Sequence, residues 1–167
     1  MATSLRFTLA ALSLGLSAFA AHGHGEAKHD AGAKKKAVST EQYAWGREGD
    51  AGKVAKTIRV DMADTMRFSP DEVKVKRGET VKFVVRNTGK VMHEMVIGTR
   101  EELEKHAEMM KKHPGMEHDA PYMAHVAPGG RQDIVWTFDK PGTFMYGCLI
   151  PGHWEAGMKA SIVVAAN

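Results

Sequence analysis

Tyr146-Gly147-Cys148-Leu149-Ile150-Pro151-Gly152-His153-Trp154-Glu155-Ala156-Gly157-Met158 decides the reading of this chain, because it holds the only cysteine among 167 residues. A thiol, an imidazole and a thioether follow at Cys148-x4-His153-x4-Met158, with Pro151 and Gly152 between them to shape a turn. Side chains alternate between the two faces of a strand. Phe144, Tyr146 and Cys148 share one parity, as do Met158, Ala160, Ile162 and Val164, and as do Val91, His93, Met95 and Ile97 earlier in the chain. Three candidate ligands thus point the way the apolar residues point. They fall at strand ends, where loops bring distant segments together.

Outward from this stretch the pattern repeats. Thr57 to Met62, Val73 to Lys76, Val81 to Asn87, Val91 to Ile97, Asp133 to Phe138, Phe144 to Cys148 and Met158 to Val164 read as short strands. Turn signals separate them: Arg77-Gly78, Asn87-Thr88-Gly89, Pro128-Gly129-Gly130 and Lys140-Pro141-Gly142. The spacing predicts an all-β fold, a Greek-key β-sandwich, with one short helix inserted between strands. That helix is Arg100 to His113, rich in Glu, Lys, Met and Leu and free of Gly and Pro until Pro114. Gly115 to Pro128 reads as a loop returning to the sheet.

The N-terminal third reads differently. Residues 1–20 carry one positive charge, Arg6, then a largely apolar run from Phe7 to Phe19 ending in Ala18-Phe19-Ala20, the layout of a secretory signal peptide. The run is shorter than the roughly 20 apolar residues a spanning helix needs, so no membrane span is expected in the mature chain. Residues 21–55 are rich in Ala, Gly, Lys and His and read as a disordered arm. Residues 56–167 form the single domain, with a Met/His-rich insertion at 100–127. The formal charge of +3 sits mostly before Lys56, beyond which acidic and basic side chains nearly balance, so no nucleic-acid partner is expected.

An exported chain with one cysteine cannot close a disulfide on itself, which leaves a partner chain, a free thiol or a metal for Cys148. Thiolate and imidazole suit copper, and two histidines and a cysteine with a weak axial methionine are the ligand signature of electron-transfer copper sites. Taken singly, Met158 reads as a core residue filling an irregular gap and His93 as a hydrogen-bonded core histidine. Taken with the unpaired cysteine on converging strands, they read as a metal site. A nucleophilic Cys-His enzyme is the rival, but no oxyanion loop or orienting asparagine is evident.

Over roughly residues 57 to 165 the chain resembles the cupredoxins. Met66-Arg67-Phe68-Ser69-Pro70-Asp71-Glu72-Val73, Arg77-Gly78-Glu79-Thr80-Val81 and Asn87-Thr88-Gly89 look like the first half of that fold. Tyr146-Gly147-Cys148, Pro151-Gly152-His153 and Met158 look like its copper loop. The resemblance implies one type 1 copper with His93, Cys148 and His153 as equatorial ligands and Met158 as the axial one. The His-rich arm and Met/His-rich insertion look, more narrowly, like the periplasmic copper-tolerance cupredoxins of the CopI group. One departure stands out: many plastocyanin- and azurin-like members carry an Asn after the first ligand His, tying the two ligand loops together, and here Glu94 stands in its place.

Nine histidines and eleven methionines exceed the needs of one site. His106, Met109, Met110 and His113 on the helix, and Met116, His118, Met123 and His125 after it, form a candidate accessory set for further copper ions; His22, His24 and His29 in the arm form another. Against this, a Met stripe at helical spacing is usually core packing. Copper handling in the periplasm, with copper ions as cargo and a redox partner docking near His153, is the expected function. A dedicated soluble electron carrier and a cuprous oxidase are the alternatives.

Overall fold

Glu72–Lys76 buries Val73 and Val75 and exposes Glu72, Lys74 and Lys76, the period-2 pattern of a strand with one wet face. Among the described residues, strands, one α-helix and one 3-10 turn make up the fold. The computed structural model describes residues 37–116 and 118–166. In chain order the strands begin with β1 (Gln42–Tyr43), β2 (Gly46–Glu48), β3 (Lys56–Ala63), β4 (Arg67–Ser69), β5 (Glu72–Lys76), β6 (Glu79–Asn87) and β7 (His93–Gly98). The helix α1 (Arg100–Lys112) follows, then β8 (Met123–Val126), β9 (Arg131–Phe138), β10 (Gly142–Gly147) and β11 (Lys159–Ala165).

The strands form two sheets, one ordered β1-β2-β9-β6-β3-β4 and the other β5-β11-β10-β7-β8. Most neighbours are antiparallel, while β3 runs parallel to β6 and β5 parallel to β11. Such parallel neighbours need connections that cross between sheets, and the result is the expected cupredoxin sandwich. Val60, Met62, Val81, Phe83, Val85, Ile134, Trp136 and Phe138 from one sheet meet Met95, Ile97, Phe144, Tyr146, Ile162 and Val164 from the other in one apolar core.

Helix α1 forms where its sequence places it, with His113 as C-cap. Thr99 caps its N-terminus, with Glu102 completing a capping box; Glu101 and Glu102 lie in the first turn and Lys111 and Lys112 in the last, complementing the helix dipole. Leu103, Ala107 and Met110, spaced i, i+4, i+7, are its buried face. That face packs with Val96, Met123, Met145, Leu149 and Trp154 in a second apolar cluster. Strand β7 is therefore covered on both sides, and all six of its residues are buried. Parity alone assigned only His93, Met95 and Ile97 inward; the helix supplies the second cover.

Three further differences from the sequence reading follow from long-range pairing. Residues 42–53, read as part of the arm, carry β1, β2 and a 3-10 turn, and β2 pairs with β9, so ordered structure starts earlier than composition indicates. Met123–Val126, read as loop, is strand β8 paired to β7. Strand β7 begins at His93 rather than Val91, because the turn before it leaves Val91 and Met92 exposed. The signal-peptide reading of residues 1–20 lies outside the described residues. Among the described residues no helix is long and apolar enough to cross a membrane.

Candidate metal centre

Cys148 follows the last residue of β10 and Met158 precedes the first of β11, so the hairpin between these strands carries the whole Cys-His-Met sequence. Backbone bonds close the loop on itself: the Cys148 N–H donates to the Met158 carbonyl at 3.0 Å, the Met158 N–H to the His153 carbonyl at 3.0 Å, and the His153 N–H to the Ile150 carbonyl at 2.9 Å. A guanidinium N–H of Arg67 donates to the Ala156 carbonyl at 2.8 Å, pinning the loop to the strand β4 edge. Gly147 is required because the Trp154 ring lies against it, and any side chain there would overlap Cζ3 and Cε3 of that ring. Trp154 itself is buried and packs over the loop.

His93 reaches the loop from β7. Its ring centroid is 5.0 Å from that of His153, and Cys148 Sγ stands 3.2 Å from His153 Nδ1. One ligand atom from each of His93, Cys148 and His153 lies within 4.8 Å of the others, the one such cluster among the described residues. Met158 is fully buried and bonded through its backbone to both Cys148 and His153.

Asp64 orients His93. Its carboxylate accepts from the Lys90 N–H at 2.8 Å and the Val91 N–H at 3.4 Å, and Oδ1 stands 3.1 Å from His93 Nε2. The Lys90 amide first, then the His93 ring and the Val91 amide, hold the Asp64 carboxyl below the usual carboxylate range. With Nε2 engaged as donor, the His93 Nδ1 lone pair is left facing the interior, and Nδ1 is a buried nitrogen with no hydrogen-bond partner among the described residues. Buried polar atoms are almost always paired, so this nitrogen is poised for a metal, and it is the observation that tests whether the residues fit one. The soft donor set of two imidazoles and one thiolate suits copper.

Burial pushes the Cys148 thiol up to about 12, with the Glu94 charge adding to the rise and the Glu94 and Ile150 backbone N–H groups opposing it. Burial and the nearby His93 ring hold the His153 pKa down, which keeps its lone pair free. Glu94, only 3% exposed, accepts from the Leu149 N–H at 2.8 Å through Oε1, and its Oε2 stands 3.0 Å from His125 Nδ1. Sequence reading singled out Glu94 as a departure but missed Asp64, which looks like any aspartate after a strand and lies 29 residues from its partner.

The accessory candidates separate. His106 and His118 come together, ring centroids 4.6 Å apart, and His106 Nε2 and both ring nitrogens of His118 are buried without partners among the described residues. Met109 lines the same cavity. Met110 and Met123 pack in the apolar cluster under α1, His125 is engaged with Glu94, and His113 and Met116 are exposed. His22, His24 and His29 lie outside the described residues.

Comparison with known proteins agrees with this geometry. Residues 54–165 match the family model of copper binding proteins, plastocyanin/azurin family. The chain is 48% identical over 145 residues to the copper-resistant cuproprotein CopI of Rubrivivax gelatinosus, covering 87% of this chain and 85% of that one. It is 35% identical over 118 residues to that of Vibrio cholerae serotype O1, covering 70% of each. Among solved structures, reduced auracyanin from Roseiflexus castenholzii superposes with a TM-score of 0.58 at 24% identity over 67% of this chain and 98% of that one. Auracyanin B gives 0.59 at 19% identity over 74% and 96%.

Proposed function

The chain belongs to the plastocyanin/azurin family of copper-binding proteins, and from that premise we propose that it serves copper tolerance in the periplasm through one type 1 copper centre. In this reading His93, Cys148 and His153 would hold the ion, and Met158 would offer it a thioether. The observation that carries it is the buried, partnerless Nδ1 of His93 in the cluster whose ligand atoms lie within 4.8 Å of one another. Copper bound there supplies a one-electron couple. The protein's own part is to hold the donors in place: Asp64 fixes the His93 ring, the β10–β11 loop closes on itself by backbone bonds, and the sandwich excludes water from the thiolate. The half-buried ring of His153, with exposed Pro151 and Gly152 beside it, is the surface for a redox partner.

Export follows from the reading of residues 1–20. Binding with electron transfer, rather than turnover of a substrate, follows from the donor set, which matches electron-transfer copper sites. A second ion belongs to the same function: His106 and His118, with three unpartnered buried nitrogens between them, and Met109 on the same cavity offer imidazole and thioether to it. The copper-tolerance relatives favour this reading over a dedicated electron carrier.

The test is metal analysis and visible absorption of the mature protein beside Cys148→Ser. An intense visible charge-transfer band in the parental protein, lost in the variant, is expected, since only a thiolate bonded to cupric ion produces it. A band of equal intensity in Cys148→Ser would sink the assignment.

A further inference from the structure

Glu94 is the residue at which this chain leaves the pattern of many plastocyanin- and azurin-like proteins, and its surroundings are specific. It follows His93 on β7 with opposite parity, so its side chain faces α1 and the copper loop rather than the sandwich core. Val96, on the same face of β7, packs with Leu149, Trp154 and Met123 in one apolar cluster. A carboxylate buried among such side chains costs several kcal/mol unless its oxygens are occupied. Both are. Oε1 takes the amide N–H of Leu149, the residue after Cys148, and Oε2 faces His125 Nδ1 on β8. His125 Nε2 in turn stands 3.1 Å from the His118 carbonyl.

One side chain therefore joins three segments: the strand that delivers His93, the loop that delivers Cys148, and the β8 edge that leads back to the insertion. A neutral amide at this position would tie the first two together. A carboxylate does this and adds negative charge beside the segment that carries Cys148.

Resting on the copper-centre reading above, we propose that Glu94 is a positioning residue of the metal centre that ties the Cys148 loop to the His93 strand and sets a low reduction potential by its charge. The sign follows from electrostatics. The oxidised centre carries one more positive charge than the reduced one, so a fixed anion nearby favours the oxidised form. His125 moderates the effect as the group facing Oε2, and its pKa is raised first by its hydrogen bond to Glu94.

Two variants separate tie from charge. Glu94→Gln keeps an oxygen for the Leu149 amide and removes the charge; Glu94→Ala removes both. Reduction potentials are measured by redox titration of the visible band, and hydrogen exchange of the Leu149 amide is measured on the copper-free protein. Glu94→Gln is expected to raise the potential while leaving the amide protected. Glu94→Ala is expected to raise it too and to speed exchange by roughly tenfold or more, the loss of one charge-assisted hydrogen bond. An unchanged potential in Glu94→Gln overturns the role of the charge, and unchanged exchange in Glu94→Ala overturns the tie. A parental protein with no charge-transfer band would overturn the copper-centre reading itself, whereas a parental band with unmoved potentials overturns the Glu94 proposal alone.

Discussion

Lys111 Nζ, in the last turn of α1, lies 2.6 Å from Glu155 Oε1, in the loop between Cys148 and Met158. The pair joins the helical insertion to the loop that carries His153. Beneath it Met110 and Leu103 of the helix meet Leu149 and Trp154 of the loop in one apolar cluster. The insertion is thus the outer wall of the candidate metal centre, and it packs on the loop from the side opposite the core.

The energetic weight of that wall is expected in the apolar contacts rather than the ion pair, because an exposed pair is screened by solvent and salt. Trp154→Ala removes a buried ring lying on Gly147 and should cost about 3–5 kcal/mol in chemical denaturation of the copper-free protein. Lys111→Gln should lower the midpoint only slightly, with the difference disappearing at high salt. A Trp154→Ala protein as stable as the parent would mean that the loop does not lean on the helix.

A second prediction concerns the turn before His93. Gly89 sits against Asp64, so that a Cβ there would overlap the Asp64 carboxylate. Gly89→Ala should push Asp64 off the Lys90 amide and off His93 Nε2 while sparing the sandwich core, because Gly89 lies in the turn between β6 and β7. Loss of a group that orients a ligand typically lowers metal affinity roughly 10–100-fold. Competition titration with a copper chelator reads this directly, with circular dichroism to check that the fold is kept. Parental affinity would remove Asp64 from the account of the site.

These residues show where sequence reading succeeds and where it stops. Cys148 and His93 were legible because few residue types offer soft donors and their parity agreed with the apolar residues around them, and His153 was legible from its spacing after the only cysteine. Strands with one wet face, such as Glu72–Lys76, were legible for the same reason. Asp64 was not, since its role exists only once two loops meet. Strand β8 was not, because the short stretch Met123–Val126 carries too little alternation, and pairing with β7 creates the strand. The methionines of the insertion were legible only as a group: packing, not composition, puts Met110 and Met123 in the core and leaves Met109 at the cavity.

The third prediction is a pH dependence of the copper-free protein. The Cys148 thiol is raised by burial from an ordinary value of 9.0 to about 12. Between those values the unfolded chain has lost the proton and the folded chain keeps it. The contribution is fully present below pH 9.0 and is lost progressively as pH rises toward 12, at a slope on the order of 1.4 kcal/mol per pH unit. Denaturation midpoints of parental and Cys148→Ala proteins, measured from about pH 8 upward, should therefore diverge, with only the parent showing this component. Copper uptake at neutral pH should release the thiol proton into unbuffered solution, since the ligand is the thiolate. No proton release on binding would argue against Cys148 as a ligand.

The last prediction separates copper handling from simple electron carriage, and the structure sharpens which residues it must use. Replacing Met110 or Met123 would disturb the packing under α1 and confuse a lost ligand with a lost fold. His106→Gln, His118→Gln and Met109→Leu avoid this, because these side chains share a cavity and the histidines hold nitrogens that none of the described residues satisfies. Burial and the facing His118 ring keep His106 below its ordinary pKa, so at neutral pH its lone pair is available to a metal. The triple variant should keep the visible band of the Cys148 centre, bind less cuprous copper per chain, and protect a copper-sensitive host less well. Deleting residues 22–35, with His22, His24 and His29, tests the arm by the same three readings. Parental stoichiometry and parental host tolerance in both variants would defeat the accessory sites and leave electron carriage as the better reading. Loss of the visible band in the triple variant would instead place these histidines in the support of the principal centre.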